Sequence, residues 1–161
     1  MQIKFTLSQP VSYVGSPIHE RSNNMTREEK AIELHDNGCN CAQAVLLAFA
    51  DKLDVDKELL HKISEGFGAG MGTTHGTCGA LSGAIMLAGL MNSDGDTDRP
   101  GTKGSTYGLD RQLYLSFLDK TGGSICRDLK GIDTGKMLCS CPDCIRAGVA
   151  AAEEVLFKGK D

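Results

Sequence analysis

The sequence predicts an all-α protein, and three observations carry that prediction. Apolar residues recur at three- and four-residue spacing in segment after segment, and no alternating stretch is long enough to offer a strand. Helix-starting residues such as Thr26, Asn40, Thr77, Ser124 and Ser140 precede these runs, and Gly38, Gly66, Gly122 and Gly131 follow them. Finally, residues 78–91 carry no charge, and a helix that is apolar on every side belongs in the middle of a protein or in a membrane. The run falls short of the about 20 apolar residues a bilayer crossing needs. The expected architecture is therefore a compact multi-helix domain around this buried glycine- and alanine-rich central helix. Gly79, Ala80, Gly83 and Ala84 would let neighbouring helices approach its backbone closely.

The elements follow in order. Thr26 and Glu29 form the T-x-x-E pattern of a capping box, and Ala31, Ile32 and Leu34 give the first helix an apolar side until Gly38 stops it. Asn40 is a good N-cap for a second helix, in which Cys41 shares a face with Ala44, Val45, Ala48 and Phe49. A third helix starts at Asp54 or Asp56, carries Leu59, Leu60 and Ile63, and ends in the turn Gly66 to Gly76. Thr77 is the expected cap of the central helix, which Cys78 opens. A polar loop, residues 92–104, leads to a helix capped by Ser105 with Leu109, Leu113 and Phe117 on one face and Gly122 and Gly123 at its end. Ser124 is expected to cap a short helix holding Cys126 and Leu129, closed by Gly131. Ser140-Cys141-Pro142-Asp143 opens the last helix, with proline in the first turn where its missing N–H costs nothing.

Composition and charge limit the function. A chain of 161 residues is one domain on length priors and large enough for a real core. Its net charge of −4 provides no basic stripe to replace phosphate counterions, which argues against nucleic acid. Residues 1–24 hold no apolar core of the kind a signal peptide needs, and are read as an N-terminal extension of unknown purpose before a domain at residues 25–161. The expected location is the cytoplasm. There seven cysteines point to metal binding or redox chemistry, because structural disulfides are rare in that compartment. The apolar central helix and the low aromatic content are compatible with a homodimer.

Four of those cysteines share a position. Cys41, Cys78, Cys126 and Cys141 each fall in about the first turn of a predicted helix, next to the candidate caps Asn40, Thr77, Ser124 and Ser140. A helix N-terminus carries roughly half a positive charge and unpaired N–H donors, which favour thiolate, the form that binds metal and attacks disulfides. The competing reading is four small buried hydrophobes, since free cysteine is among the most buried residue types. Four at helix starts favour the chemical reading.

These segments also carry a resemblance. Asn40-Cys41-Ala42-Gln43-Ala44-Val45, the turn Gly66-Phe67-Gly68-Ala69-Gly70-Met71-Gly72, Cys78-Gly79-Ala80-Leu81-Ser82-Gly83-Ala84, Cys126-Arg127-Asp128-Leu129 and Cys141-Pro142 before Glu153-Glu154-Val155-Leu156 resemble the C_GCAxxG_C_C family of putative redox-active proteins. The resemblance covers about residues 25–157. The family is described by four cysteines and is similar to a domain of split-Soret cytochromes, where an iron–sulfur centre accompanies haem; this implies electron transfer or metal–thiolate chemistry with an unknown redox partner. Cys41, Cys78 and Cys126 match the motif directly. Counting back from Glu153 and Glu154 favours Cys141 as the fourth, with Cys144 the alternative, at a position the family usually fills with a bulky apolar residue. Cys39, Cys139 and Cys144 are extras of this chain.

Two chemistries follow. Cys41, Cys78, Cys126 and Cys141 satisfy the four-thiolate demand of an iron–sulfur cluster, or of tetrahedral zinc as the alternative. The motif Cys141-Pro142-Asp143-Cys144 at a helix start instead suggests thiol–disulfide exchange, without the βαβ setting usual for it. A structural or partner-binding protein is the third reading. No C-x-x-C-H occurs, so covalent c-type haem is excluded. Lesser signals weigh less. His75 lies three residues before Cys78 and reads as an exposed loop residue before a ligand. His19, His35 and His61 have no companion spacing. Asp94, Asp96 and Asp98 imitate the start of a calcium loop, but Arg99 and Ser105 stand where Gly and Glu are required. Gly66, Gly68, Gly70 and Gly72 lack the strand that precedes a phosphate loop, and are expected to let the backbone pass close to the cysteines.

Overall fold

The computed structural model describes residues 25–159, so the extension at residues 1–24 lies outside it, together with His19. Among the described residues the chain forms helices and no strands, as its periodicity requires. Helix α1 spans Arg27–Asp36 and α2 spans Cys41–Ala48. After a 3-10 turn, Ala50–Lys52, come α3, Lys57–Glu65, and the tight turn Gly68–Met71. The remaining helices are α4, Gly79–Asn92; α5, Lys103–Thr121; α6, Cys126–Lys130; and α7, Cys141–Ala152, which runs into a π turn, Glu153–Phe157. No described helix is long and apolar enough to cross a membrane.

Two N-termini form as local chemistry dictates. Thr26 and Glu29 exchange side-chain and backbone hydrogen bonds in a capping box. Asn40 does the same with Gln43, accepting the N–H groups of Ala42 and Gln43 at 3.0 Å while the Gln43 amide oxygen accepts the Asn40 N–H at 2.9 Å. The Asn40 Nδ2 also donates to the Glu65 carbonyl at 2.8 Å, tying the start of α2 to the end of α3. Asp56, not Asp54, caps α3.

Helix α4 is the centre. Gly79, Ala80, Leu81, Ser82, Gly83, Ala84, Leu87 and Ala88 are buried, and α2, α5 and α7 pack around it. Its glycines set the crossing distances. A Cβ on Gly83 would stand 2.6 Å from the Ala42 carbonyl oxygen in α2, and one on Gly148 in α7 would stand 2.9 Å from the Ala80 carbonyl oxygen. Only bare backbone allows helices this close. Phe49, Leu81, Leu113, Phe117, Ile145 and Val149 fill the layers between them at 1% exposure or less. At the far end the Phe157 ring stacks on Phe49 with centroids 5.2 Å apart.

Three expected caps are overturned. Helix α4 is capped by Cys78 rather than Thr77, α6 by Ile125 rather than Ser124, and α5 begins at Lys103 with Ser105 inside its first turn, donating back to the Thr102 carbonyl at 2.8 Å. The reason for the first two is tertiary. Thr77 and Ile125 form an isolated antiparallel bridge, the Cys78 N–H donates to the Ser124 carbonyl at 2.7 Å, and the Cys126 N–H donates to the Gly76 carbonyl at 3.1 Å. The backbone of Thr77 and Ser124 is engaged across the fold, so neither side chain turns back to cap. The polar loop is solvated as expected: the Asp94 carboxylate accepts the N–H groups of Asp96 and Gly101, closing the loop on itself.

Candidate thiol cavity

The four N-terminal cysteines arrive from distant parts of the chain. Cys41, Cys126 and Cys141 are the first residues of α2, α6 and α7, and Cys78 is the N-cap of α4. The glycine turn brings two of them together. Ala69, Met71 and Thr74 adopt positive φ angles of 50°, 58° and 65°, a region side chains rarely enter, and strain of this kind is kept at sites the surrounding structure over-determines. Gly70 lies so close that a Cβ there would stand 2.7 Å from the Cys126 Cβ, while a Cβ on Gly79 would stand 2.5 Å from the Cys41 sulfur. The Arg127 N–H donates to the Thr74 carbonyl at 2.8 Å, which fastens the turn to α6.

Cys41, Cys78, Cys126, Cys141 and Cys144 line one cavity of about 170 Å³. Cys78, Cys126 and Cys144 are buried; Cys41 and Cys141 are half-buried. All seven cysteines are free thiols. His35, Asn40, Ala69 and Lys130 complete the wall. Sequence spacing missed His35 and Lys130. His35 is fixed by a 2.9 Å hydrogen bond between its Nδ1 and the Cys39 carbonyl, and Lys130 reaches the Cys141 sulfur from the end of α6. His75 stays outside, exposed and bonded to the Thr73 carbonyl, and His61 packs on Gln43. Among the described residues no group of three or more His, Cys, Asp or Glu side chains is drawn together tightly enough to hold a single metal ion.

Inside the cavity the protons are unequally held. Cys78 is pulled down to about 7, first by the neighbouring Cys144 thiol, against the cost of burial, with help from the N–H groups of Ala80 and Leu81 and the Lys130 ammonium. Those two N–H groups face the sulfur without closing a regular cap hydrogen bond. Cys144 moves the other way, held protonated by the Cys78 thiolate beside it and by desolvation. Burial also pushes the Cys41 thiol up, opposed by the Ala69 N–H and reinforced by Cys78 and Cys141. Desolvation, then the Cys78 charge, raises Cys126. The neighbouring Cys144 thus does more than the helix N-terminus to favour the Cys78 thiolate, and in the metal-free chain burial and mutual repulsion outweigh the helix ends at Cys41 and Cys126.

Cys144 departs from the pairing its motif suggests. In Cys141-Pro142-Asp143-Cys144 the two sulfurs lie one turn apart on α7, yet Cys144 turns inward to Cys78 and Cys139 while Cys141 faces Lys130. Its 3% exposure among aliphatic neighbours suits a position that takes an apolar residue.

No curated protein and no solved structure matches the chain. A family description does match, over residues 39–155, which include every cysteine of the sequence: "Putative redox-active protein (C_GCAxxG_C_C)". With its cysteine segments in that order and its glycine turn between them, the chain belongs to the C_GCAxxG_C_C family.

Proposed function

We propose that the thiol cavity takes up an iron–sulfur cluster on Cys41, Cys78, Cys126 and Cys141, and that the protein exchanges electrons with a redox partner. The observation that carries this reading is the convergence of cysteines from four separated helix starts on one small cavity with, among the described residues, a single ammonium in its wall. So many sulfurs cannot all ionise against one Lys130, and an arriving cation would draw off the protons that burial now holds on Cys41 and Cys126. The positive ends of α2, α4 and α7 border the cavity and offset part of the charge of a thiolate-bound centre. Tetrahedral zinc needs its four sulfurs about 4 Å apart, from a metal–sulfur distance of ~2.3 Å. When bound, such a cluster supplies one-electron transfer at a potential set by charge, burial and hydrogen bonds to its sulfurs. Asn40, Ala69 and the glycine turn shield that side of the cavity from water. A reducing compartment such as the cytoplasm keeps the thiols available.

The test is anaerobic reconstitution with ferrous iron and sulfide. The expected result is a brown protein whose iron content falls about tenfold or more in Cys41→Ser, Cys126→Ser and Cys141→Ser but not in Cys39→Ser, since removing one of four ligands undoes the site. A colourless, iron-free product would overturn the reading. Thiol–disulfide chemistry is the second reading, and the observation that favours it is Cys144 lying against Cys78.

A further inference from the structure

Cys139 and Cys144 have no place in the four-thiol set, and the fold lines both up with Cys78. Cys78 is 5% and Cys144 3% exposed, and both line the same small cavity. The Cys144 thiol also donates to the Cys139 carbonyl at 3.9 Å. Cys139 itself is half-exposed, held ahead of α7 by its N–H donating to the Leu129 carbonyl at 3.2 Å. Three cysteines therefore lead from the buried cavity to the surface, with the middle one lining the cavity beside Cys78 and bonded to the main chain of Cys139. We propose that Cys139, Cys144 and Cys78 form a thiol–disulfide relay, which passes two electrons between the cavity and an external dithiol or disulfide partner without opening the cavity.

Each step exchanges one S–S bond for another. In the oxidising direction the Cys139 thiolate attacks the partner's disulfide, forming a mixed disulfide and releasing one partner sulfur as a thiolate. Cys144 then attacks the Cys139 sulfur; the Cys139–Cys144 bond forms and the second partner sulfur leaves. Cys78 attacks the Cys144 sulfur, the Cys78–Cys144 bond forms, and Cys139 is restored as a thiol. The two protons lost by Cys78 and Cys144 end on the two partner sulfurs. Partner disulfide and two protein thiols become partner dithiol and one buried disulfide, and the reverse sequence carries reducing equivalents inward. The relay rests on the dithiol reading alone and operates in the metal-free chain, so it stands or falls apart from iron uptake.

The experiment uses the full-length, chelator-treated, reduced protein with oxidised glutathione as the disulfide. Samples are quenched in acid over time, alkylated, and digested with trypsin and an enzyme that cuts before Asp143, which separates Cys144 from Cys139 and Cys141. A peptide pair linked through Cys78 and Cys144 should accumulate in the natural protein and in Cys39→Ser at the same rate. It should form about tenfold or more slowly in Cys139→Ser, since access limits exchange at a buried thiol. Cys144→Ser should stop with glutathione on Cys139 and Cys78 still reduced. An undiminished rate in Cys139→Ser, an equal slowing in Cys39→Ser, or a Cys141–Cys144 bond as the main product would overturn the relay.

Discussion

Cys78 and Cys144 show how far a partner, more than a position in a helix, sets the behaviour of a thiol. Both sit at helix starts and both are buried, yet one is held at about 7 and the other well above the usual thiol range, because each is the other's largest influence. In the reduced, metal-free protein one equivalent of thiolate absorption should therefore appear in an ultraviolet titration near pH 7, well below the ordinary value of 9.0. Cys144→Ala should move that step upward, since the donating thiol is lost; an unmoved step would mean that the Ala80 and Leu81 N–H groups suffice. The five cavity cysteines could be picked out in the sequence, four by lying near expected helix starts and Cys144 through the C-x-x-C motif. What each one touches could not. A C-x-x-C pair invites the inference that its two sulfurs belong together, whereas packing of α7 on α4 turns Cys144 to Cys78. Lys130 and His35 left no local signal, since each enters the cavity from the end of a helix whose own spacing says nothing about the others.

At the level of elements, the glycine positions of α4 decide how near its neighbours come. Gly83→Ala would set a Cβ 2.6 Å from main chain in α2 and 3.1 Å from the Val45 Cβ, contacts that a flexible side chain cannot relieve. It should cost about 1–3 kcal/mol of stability, typical of overpacking in a closed core, measured as a lower urea midpoint with helicity retained. A neutral effect would show that α2 can slide. The small-residue pattern made this helix recognisable in advance, as the capping box at Thr26 and the N-cap at Asn40 made α1 and α2. The misread starts of α4 and α6 share one cause: Thr77 and Ser124 are good caps by type, but their main chain is spent on a bridge between loops about fifty residues apart in sequence, and such pairing leaves no periodic trace. Ser105 failed for a simpler reason, since α5 starts two residues earlier without any side-chain cap.

For the molecule as a whole, the thiols impose a pH dependence whose sign can be followed. Between about 7 and 9 the folded chain has released the Cys78 proton that the unfolded chain still holds, so stability rises with pH in that window. Above 9.0 the unfolded chain ionises thiols that Cys41, Cys126 and Cys144 keep protonated when folded, and the sign reverses. The urea midpoint of reduced, metal-free protein should therefore peak near pH 9; a steady fall from pH 7 upward would contradict the assignment. The bridge between the two loops has one more consequence. Cys78 and Cys126 hang from segments laced together by main-chain bonds, and the lead-in to Cys141 is fastened to α6 by the Leu138 and Cys139 N–H groups on the Leu129 carbonyl, whereas Cys41 rides on α2, which meets the rest through side-chain packing and the Asn40 amide. The pocket has sewn walls and one leaning wall. A visitor too large for the doorway gains room most cheaply by tilting that wall, and the stitches that anchor the other three sulfurs hold while it does so.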